Sequence, residues 1–197
     1  EVGSGQIVVM TTGTTGRPKA VRYKWETLLR QVRETENTAE RWLLLYPLNH
    51  FAALQVCLHV LVNAGTLVIP SAREHQSVCE AMRIHEVTSV SATPTFWRMF
   101  AGRISQKEAE QLSLEHITLG GEAVTGDILQ RLGTLFPDAT ITHVYATTEI
   151  GSCFSVRDGR PGFPIEFLER SVGNVELKIK ENELHVRSRH RMEEYAG

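Results

Sequence analysis

Short apolar runs rich in β-branched residues alternate along this chain with longer stretches whose apolar residues recur at helical spacing. The runs typical of strands are residues 6–10, 42–46, 66–69, 87–92, 116–119 and 141–145. Helical periodicity follows each of the first five, at residues 25–32, 52–62, 77–86, 94–100 and 128–132. Such βαβ succession predicts an α/β fold with a mostly parallel sheet flanked by helices.

Two local signals predict where helices begin. Ser77 and Glu80 have the spacing of a capping box, which predicts a helix that continues to about Glu86. Thr93 followed by Pro94 has the form of an N-cap with proline at the first helical position. The buried face of this second helix would carry the aromatic residues Phe96, Trp97 and Phe100.

The pattern changes after Glu149. Residues 154–157 form a short apolar run, and residues 159–164 are rich in glycine and proline. Apolar residues then alternate over 175–179 and 184–186 around a polar Glu-Asn turn, which predicts a C-terminal β-hairpin appended to the sheet. The chain thus divides into an α/β subdomain over residues 1–150 and a β-rich segment over residues 151–197.

Composition narrows the classes of partner and compartment. The 21 basic and 23 acidic residues of the 197 are well mixed, so no basic stripe indicates a nucleic acid or a membrane surface. Cys57, Cys79 and Cys153 are widely spaced, which argues against a disulfide framework or a zinc site. Because no apolar run reaches the roughly 20 residues of a membrane span and the N-terminus lacks signal-peptide features, a cytoplasmic protein is expected.

Residues 11–19, here called the threonine loop, follow an apolar strand and concentrate hydrogen-bond donors. The donors are the hydroxyls of Thr11, Thr12, Thr14 and Thr15, the ammonium of Lys19, and backbone N–H groups that Gly13 and Gly16 leave free to converge. This arrangement predicts an anion site, and a solvated turn is the plainer alternative. A P-loop of the G-x-x-x-x-G-K-[ST] kind is a further option that fails, because Pro18 and Ala20 break the pattern.

The threonine loop resembles the signature Thr-Ser-Gly-Ser/Thr-Thr-Gly-x-Pro-Lys-Gly of the acyl-adenylate-forming (AMP-binding) superfamily, which includes acyl-CoA synthetases, aryl-CoA ligases and adenylation domains. Thr12 and Ala20 are its two conservative departures. Three more segments resemble motifs of that superfamily in the expected order: residues 47–51 (Pro-Leu-Asn-His-Phe), 120–124 (Gly-Gly-Glu-Ala-Val) and 145–149 (Tyr-Ala-Thr-Thr-Glu). The resemblance implies that residues 1–150 are the nucleotide-binding subdomain of an AMP-binding N-terminal domain.

The resemblance implies a role for each motif. The threonine loop, Thr11, Thr12, Gly13, Thr14, Thr15, Gly16 and Lys19, would hold the β- and γ-phosphates of ATP. Gly121, Glu122, Ala123, Tyr145, Ala146, Thr147 and Thr148 would bind the nucleoside and the α-phosphate, with adenine stacked on Tyr145, and Glu149 would bind Mg²⁺. His50 would line the pocket of the carboxylate substrate, together with Phe51, Ala92, Thr93 and Gly120. The plainer alternatives are a core tyrosine, a simple glycine turn, a surface glutamate and a structural histidine.

The activity implied by the resemblance has two stages. A carboxylic acid attacks ATP to give acyl-AMP and pyrophosphate, and the acyl group then passes to the thiol of CoA or of a carrier protein's phosphopantetheine. Lys19, His50, Thr148 and Glu149 would be the catalytic residues. The superfamily also has a longer N-terminal part, a Thr-Gly-Asp segment and a C-terminal lid with a lysine, so the chain is expected to be the central part of the enzyme's N-terminal domain. A non-catalytic nucleotide-binding module and a phosphotransferase that yields ADP are the rival functions.

Overall fold

The computed structural model describes residues 5–11, 19–36, 39–188 and 194–196. Its first two strands, β1 (Gln6–Thr11) and β2 (Lys19–Lys24), pair antiparallel with Thr11 opposite Lys19, and the short helix α1 (Trp25–Leu29) follows. The predicted strand and helix are present, but the prediction of only a loop between them was wrong, because it omitted β2. The signal was present in the alternation of residues 19–24, whose Val21 and Tyr23 are buried between charged neighbours.

Ten elements follow, and they alternate as the sequence predicted except that a short unpredicted helix, α5, directly follows α4. They are β3 (Arg41–Leu44), α2 (Phe51–Val62), β4 (Thr66–Val68), α3 (His75–Ile84), β5 (Ser89–Ala92), α4 (Pro94–Ala101), α5 (Gln106–Ala109), β6 (His116–Gly120), α6 (Gly126–Leu135) and β7 (Thr140–Thr147). The five strands pair in parallel in the order β4-β3-β5-β6-β7. The predicted α/β fold with a mostly parallel sheet is therefore confirmed.

The chain then turns back on itself. Strand β8 (Gly151–Val156) pairs antiparallel with β7 and ends the six-stranded sheet, and a 3₁₀ turn covers Ile165–Leu168. Strands β9 (Val175–Lys180) and β10 (Glu183–Ser188) form the predicted hairpin, whose central Glu181 and Asn182 have φ of 51° and 63°. Strand β11 (Glu194–Ala196) returns to pair with β2.

Of the two helix starts predicted from local signals, one is confirmed and one is wrong. Thr93 caps α4, because its Oγ1 accepts a hydrogen bond from the N–H of Phe96 at 3.2 Å. The capping box predicted at Ser77 is wrong: α3 begins two residues earlier, so Ser77 lies inside its first turn. A capping box does occur at Ser105, whose Oγ accepts from the N–H of Glu108 at 3.3 Å.

The two faces of the parallel sheet have different surroundings. Leu43, Val90 and Ile117 stand side by side on one face, buried in the main core with side chains from α3, α4 and α6, among them the fully buried Trp97. The neighbouring residues along the same strands, such as Ser91 and Thr118, lie on the opposite face, because side chains alternate along a strand. On β5, β6 and β7 this second face carries mostly small and polar residues, whereas β3 contributes Trp42 and the buried Leu44, which pack with Ala53 and Val56 of α2.

Candidate active site

A cavity of about 1050 Å³ lies on the second face of the sheet, toward the carboxyl ends of its parallel strands. The sheet contributes Ser91, Thr118, Gly120, Val144 and Ala146 to its wall. These side chains are short, so the space between the sheet and α2 stays open. Ligands of open α/β sheets bind at this end of the strands, so the position fits a substrate site.

Most of the predicted site residues that the structure describes line this one cavity. They are Lys19, His50, Gly121, Glu122, Ala146, Thr147, Thr148 and Glu149, together with the predicted acid-pocket residues Phe51, Ala92, Thr93 and Gly120. Segments separated by more than a hundred residues in the sequence thus meet around a shared space. Thr12, Gly13, Thr14, Thr15 and Gly16 lie outside the described residues, and Thr11 is described only as the last residue of β1.

Tyr145 and Ala123 do not line the cavity. The alternation along β7 places Val144 and Ala146 on the cavity side and Tyr145 on the other side. The ring of Tyr145 stacks on Phe154 with centroids 5.2 Å apart and an interplanar angle of 5°. The ring is 39% exposed, so the face of the ring opposite Phe154 is the one that a ligand can reach.

Glu122 is held in place by α4, an arrangement that the sequence motifs did not indicate. Its Oε2 accepts hydrogen bonds from the N–H and the Oγ1 of Thr95 at 3.0 and 2.6 Å, and lies 3.7 Å from an Arg98 guanidinium nitrogen. Gly121 has φ of 84°, a conformation that favours glycine. The carboxylate of Glu122 is thus used to anchor the turn after β6, and the backbone of that turn borders the cavity.

The turn that carries Thr148 and Glu149 is anchored from the other sheet. The O–H of Tyr23, on β2, donates to the carbonyl oxygen of Thr148, and the Thr147 Oγ1 accepts from the N–H of Ile150 at 3.2 Å. Burial, and then the nearby charge of Glu149, raise the pKa of Tyr23 well above its usual range. Tyr23 therefore stays a neutral donor, and the sequence reasoning did not identify it.

Gln31 supports the same turn where it ends, at Ser152. Its Oε1 accepts from the N–H of Ser152 at 3.4 Å. Gly151 has φ of 79°, and a Cβ at that residue would lie 1.9 Å from the Gln31 Oε1. Glycine is therefore required at position 151 for Gln31 to pack against the backbone.

The residues that line the cavity fit a Mg²⁺ ion whose other ligands come from a bound phosphate and water. Among the residues that the structure describes, no three His, Cys, Asp or Glu side chains cluster closely enough to hold a metal ion by themselves. Glu149 and Lys19 both line the cavity. Mg²⁺ is commonly bound through one or two carboxylates together with phosphate oxygens and water, and Glu149 can supply such a carboxylate.

The described helices are too short or too polar to cross a lipid bilayer.

The family model described as AMP-binding enzyme matches residues 6–195. The chain belongs to the AMP-binding enzyme family. The family that the four sequence motifs indicated is thereby confirmed.

Curated AMP-binding relatives include acid–CoA ligases. A feruloyl-CoA synthase of Amycolatopsis sp is 32% identical over 131 residues, which cover 64% of this chain and 27% of that protein. A 2-succinylbenzoate–CoA ligase of Lactococcus lactis subsp. lactis (strain IL1403) is 23% identical over 188 residues, or 90% of this chain and 39% of that protein. The chain therefore spans between 27% and 39% of the length of these two relatives.

Solved structures of AMP-binding enzymes share the fold. The O-succinylbenzoate coenzyme A synthetase from Bacillus subtilis, in complex with ATP and magnesium ion, aligns with a TM-score of 0.70 at 21% sequence identity. The alignment covers 95% of this chain and 42% of that chain. The likeness confirms the fold class predicted from the sequence.

Proposed function

We propose that the protein carrying this chain is an AMP-forming carboxylate ligase. It would join a carboxylic acid to the AMP part of ATP with release of pyrophosphate, and then pass the acyl group to a thiol. The observation that supports this proposal is the meeting of four sequence motifs at one cavity in a chain of the AMP-binding enzyme family. Those motifs contribute Lys19, His50, Glu122 and Glu149 to the cavity wall.

The nucleotide is proposed to lie at the carboxyl ends of β6 and β7. The threonine loop, from Thr11 to Lys19, would hold the β- and γ-phosphates, and Thr148 would contact the α-phosphate. The backbone of residues 121–123 would border the nucleoside, and adenine would lie outside the cavity, on the face of Tyr145 that Phe154 leaves uncovered. Mg²⁺ at Glu149 would neutralise charge on the phosphate oxygens. Holding these groups in fixed positions is the main catalytic contribution expected of the chain.

The acid is proposed to bind beside His50, in the part of the cavity formed by Phe51, Ala92, Thr93 and Gly120. His50 is the N-cap of α2, and its backbone N–H donates to the carbonyl of Pro47 at 2.9 Å, so the turn before the helix holds it at the cavity edge. The acceptor would be CoA or a carrier-protein phosphopantetheine. Relatives named as CoA ligases and as nonribosomal peptide synthases support these two acceptors.

A cytoplasmic, reducing compartment is also proposed. Cys57, Cys79 and Cys153 are free thiols in the structure. Burial raises the pKa of Cys153 to about 11, which keeps that thiol protonated and unreactive at neutral pH.

The test is acid-dependent exchange of pyrophosphate into ATP by the purified protein, over a panel of fatty, aryl and amino acids. With an accepted acid, Glu149→Ala is expected to lower the exchange rate by about a hundredfold or more, because a charge-neutralising ligand is lost. Glu110→Ala, which removes an exposed carboxylate outside the cavity, is the matched control and should exchange like the wild type. ATP binding without exchange would indicate a non-catalytic nucleotide-binding module, and ADP as product a phosphotransferase.

A further inference from the structure

One side of α2 forms a long wall of the cavity. Phe51, Ala52, Gln55, Val56 and His59 line it, and their spacing of one, four, five and eight residues places them on a single helical face. From Phe51 to His59 this wall measures about 12 Å at the helical rise per residue. We call the space between this wall and the sheet the acyl slot.

The sheet forms the opposite wall of the acyl slot over a similar length. Trp42, near the start of β3, and Tyr46, just beyond its end, both line the cavity. They are four positions apart along an extended chain, or roughly 13 Å. Ser91 and Thr118 lie between them on the neighbouring strands. The acyl slot is therefore an elongated space that runs down the sheet from the proposed nucleotide site.

A cluster of hydrogen-bonded side chains closes the inner end of the acyl slot. The Trp42 Nε1–H donates to the Glu40 Oε2 at 2.8 Å, and the His59 Nε2 lies 2.9 Å from the same oxygen. The rings of Trp42 and His59 meet edge to face with centroids 4.9 Å apart. Glu40 is buried, at 8% exposure, so the cluster is held in the interior. Since these polar atoms are already paired, this end of the slot offers ring surface rather than hydrogen bonds to a ligand.

Four aromatic side chains contribute to the walls of the acyl slot. Tyr46, Phe51 and Phe96 line the cavity together with Trp42. Aromatic rings pack preferentially against other rings, in stacked or edge-to-face arrangements, so these walls favour a flat aromatic acyl group. The limited length of the slot also disfavours a long alkyl chain.

Gln55 is the polar exception midway along the acyl slot. Its amide nitrogen is buried and has no hydrogen-bond partner within the described part of the chain. That nitrogen has no exposed surface, so a ligand in the slot can pair with it only after the amide turns over. Because an unpaired buried amide is costly, a ligand that does so gains affinity. The two ends of the amide exchange by rotation about its last bond, and a hydroxyl can both donate and accept, so it can pair with either end.

We propose that the acyl slot selects an aromatic carboxylic acid that carries a ring hydroxyl, and that Gln55 binds this hydroxyl. The proposal rests on the proposed ligase function and specifies the class of its acid substrate. The carboxylate would remain near His50, and the ring would lie between α2 and the sheet.

The test compares pairs of acids that differ by one hydroxyl: benzoate with 4-hydroxybenzoate, and cinnamate with 4-hydroxycinnamate, with octanoate as the alkyl reference. For each acid we would measure kcat/KM in pyrophosphate exchange and binding by calorimetry. The wild type is expected to prefer the hydroxylated member of at least one pair by about tenfold. In Gln55→Leu that preference should fall to about twofold or less, because an apolar pocket discriminates weakly against a hydroxyl.

The matched control is Gln130→Leu, the same change at an exposed position of α6 outside the cavity, which should keep the wild-type preference. Three results would overturn the proposal but leave the ligase function standing. They are equal exchange within each pair, fastest exchange with octanoate, and a hydroxyl preference that Gln55→Leu leaves unchanged. Absence of exchange with every acid would instead count against the ligase function. In that case Gln55-dependent binding of the hydroxylated acids would still support the slot assignment, and absence of such binding would refute it.

Discussion

Tyr23→Phe removes one oxygen atom from the link between β2 and the turn that carries Thr148. The ring itself remains, and with it the stacking on Phe51 at 5.5 Å and the packing of a fully buried side chain. What is lost is the O–H that donates to the Thr148 carbonyl. Losing that bond and leaving the carbonyl without its donor should lower the free energy of unfolding by about 2 kcal/mol. For a chain of this length the corresponding fall in Tm is about 4–8 °C.

Urea denaturation followed by tryptophan fluorescence measures this change. Tyr145→Phe is the matched control, because it removes the same atom from a ring that is 39% exposed and stacks on Phe154 through its face. The control should stay within about 0.5 kcal/mol of the wild type. If Tyr23→Phe unfolds at the same urea concentration as the control, with the same m value, the hydrogen bond does not stabilise the site turn and the reasoning is refuted.

Two further predictions concern the same turn. Because burial and the Glu149 charge raise the pKa of Tyr23, its stabilising contribution should be complete below about pH 10, the pKa of an unfolded tyrosine, and should be lost as the pH rises above it. The difference in unfolding free energy between wild type and Tyr23→Phe should therefore shrink above pH 10, and a constant difference would contradict the assignment. Gly151→Ala should destabilise the protein by about 1–2 kcal/mol, because of its φ of 79° and the clash with Gln31. Gly133→Ala, where a Cβ meets nothing within 4 Å in α6, should instead stabilise it by about 0.5–1 kcal/mol, and equal effects in the two variants would disprove the conformational argument.

Local patterns predicted most of the parallel sheet, and they failed where a competing pattern was stronger. The apolar runs of β3 to β7 were visible because both faces of these strands are covered. Strand β2 was overlooked because only two of its residues are buried. Arg22 lies between those two, and Lys19 and Lys24 stand at the ends of the strand. The start of α3 was misplaced because Ser77 and Glu80 have capping spacing by coincidence, whereas the helix begins at His75, whose ring packs on Phe100 with centroids 5.2 Å apart.

The amino-acid sequence is enough to show which segments bear chemical groups, because motifs and periodicity are properties of neighbouring residues. It identified His50, Glu122 and Glu149 and the strands that precede the last two of them. Tertiary structure alone decided which distant residues hold these groups in position. Tyr23 bonds to Thr148 across 125 residues and Gln31 to Ser152 across 121. A single sequence does not specify such pairs, since they depend on strand order and on which sheet packs against which turn, and those are settled only when the whole core is assembled.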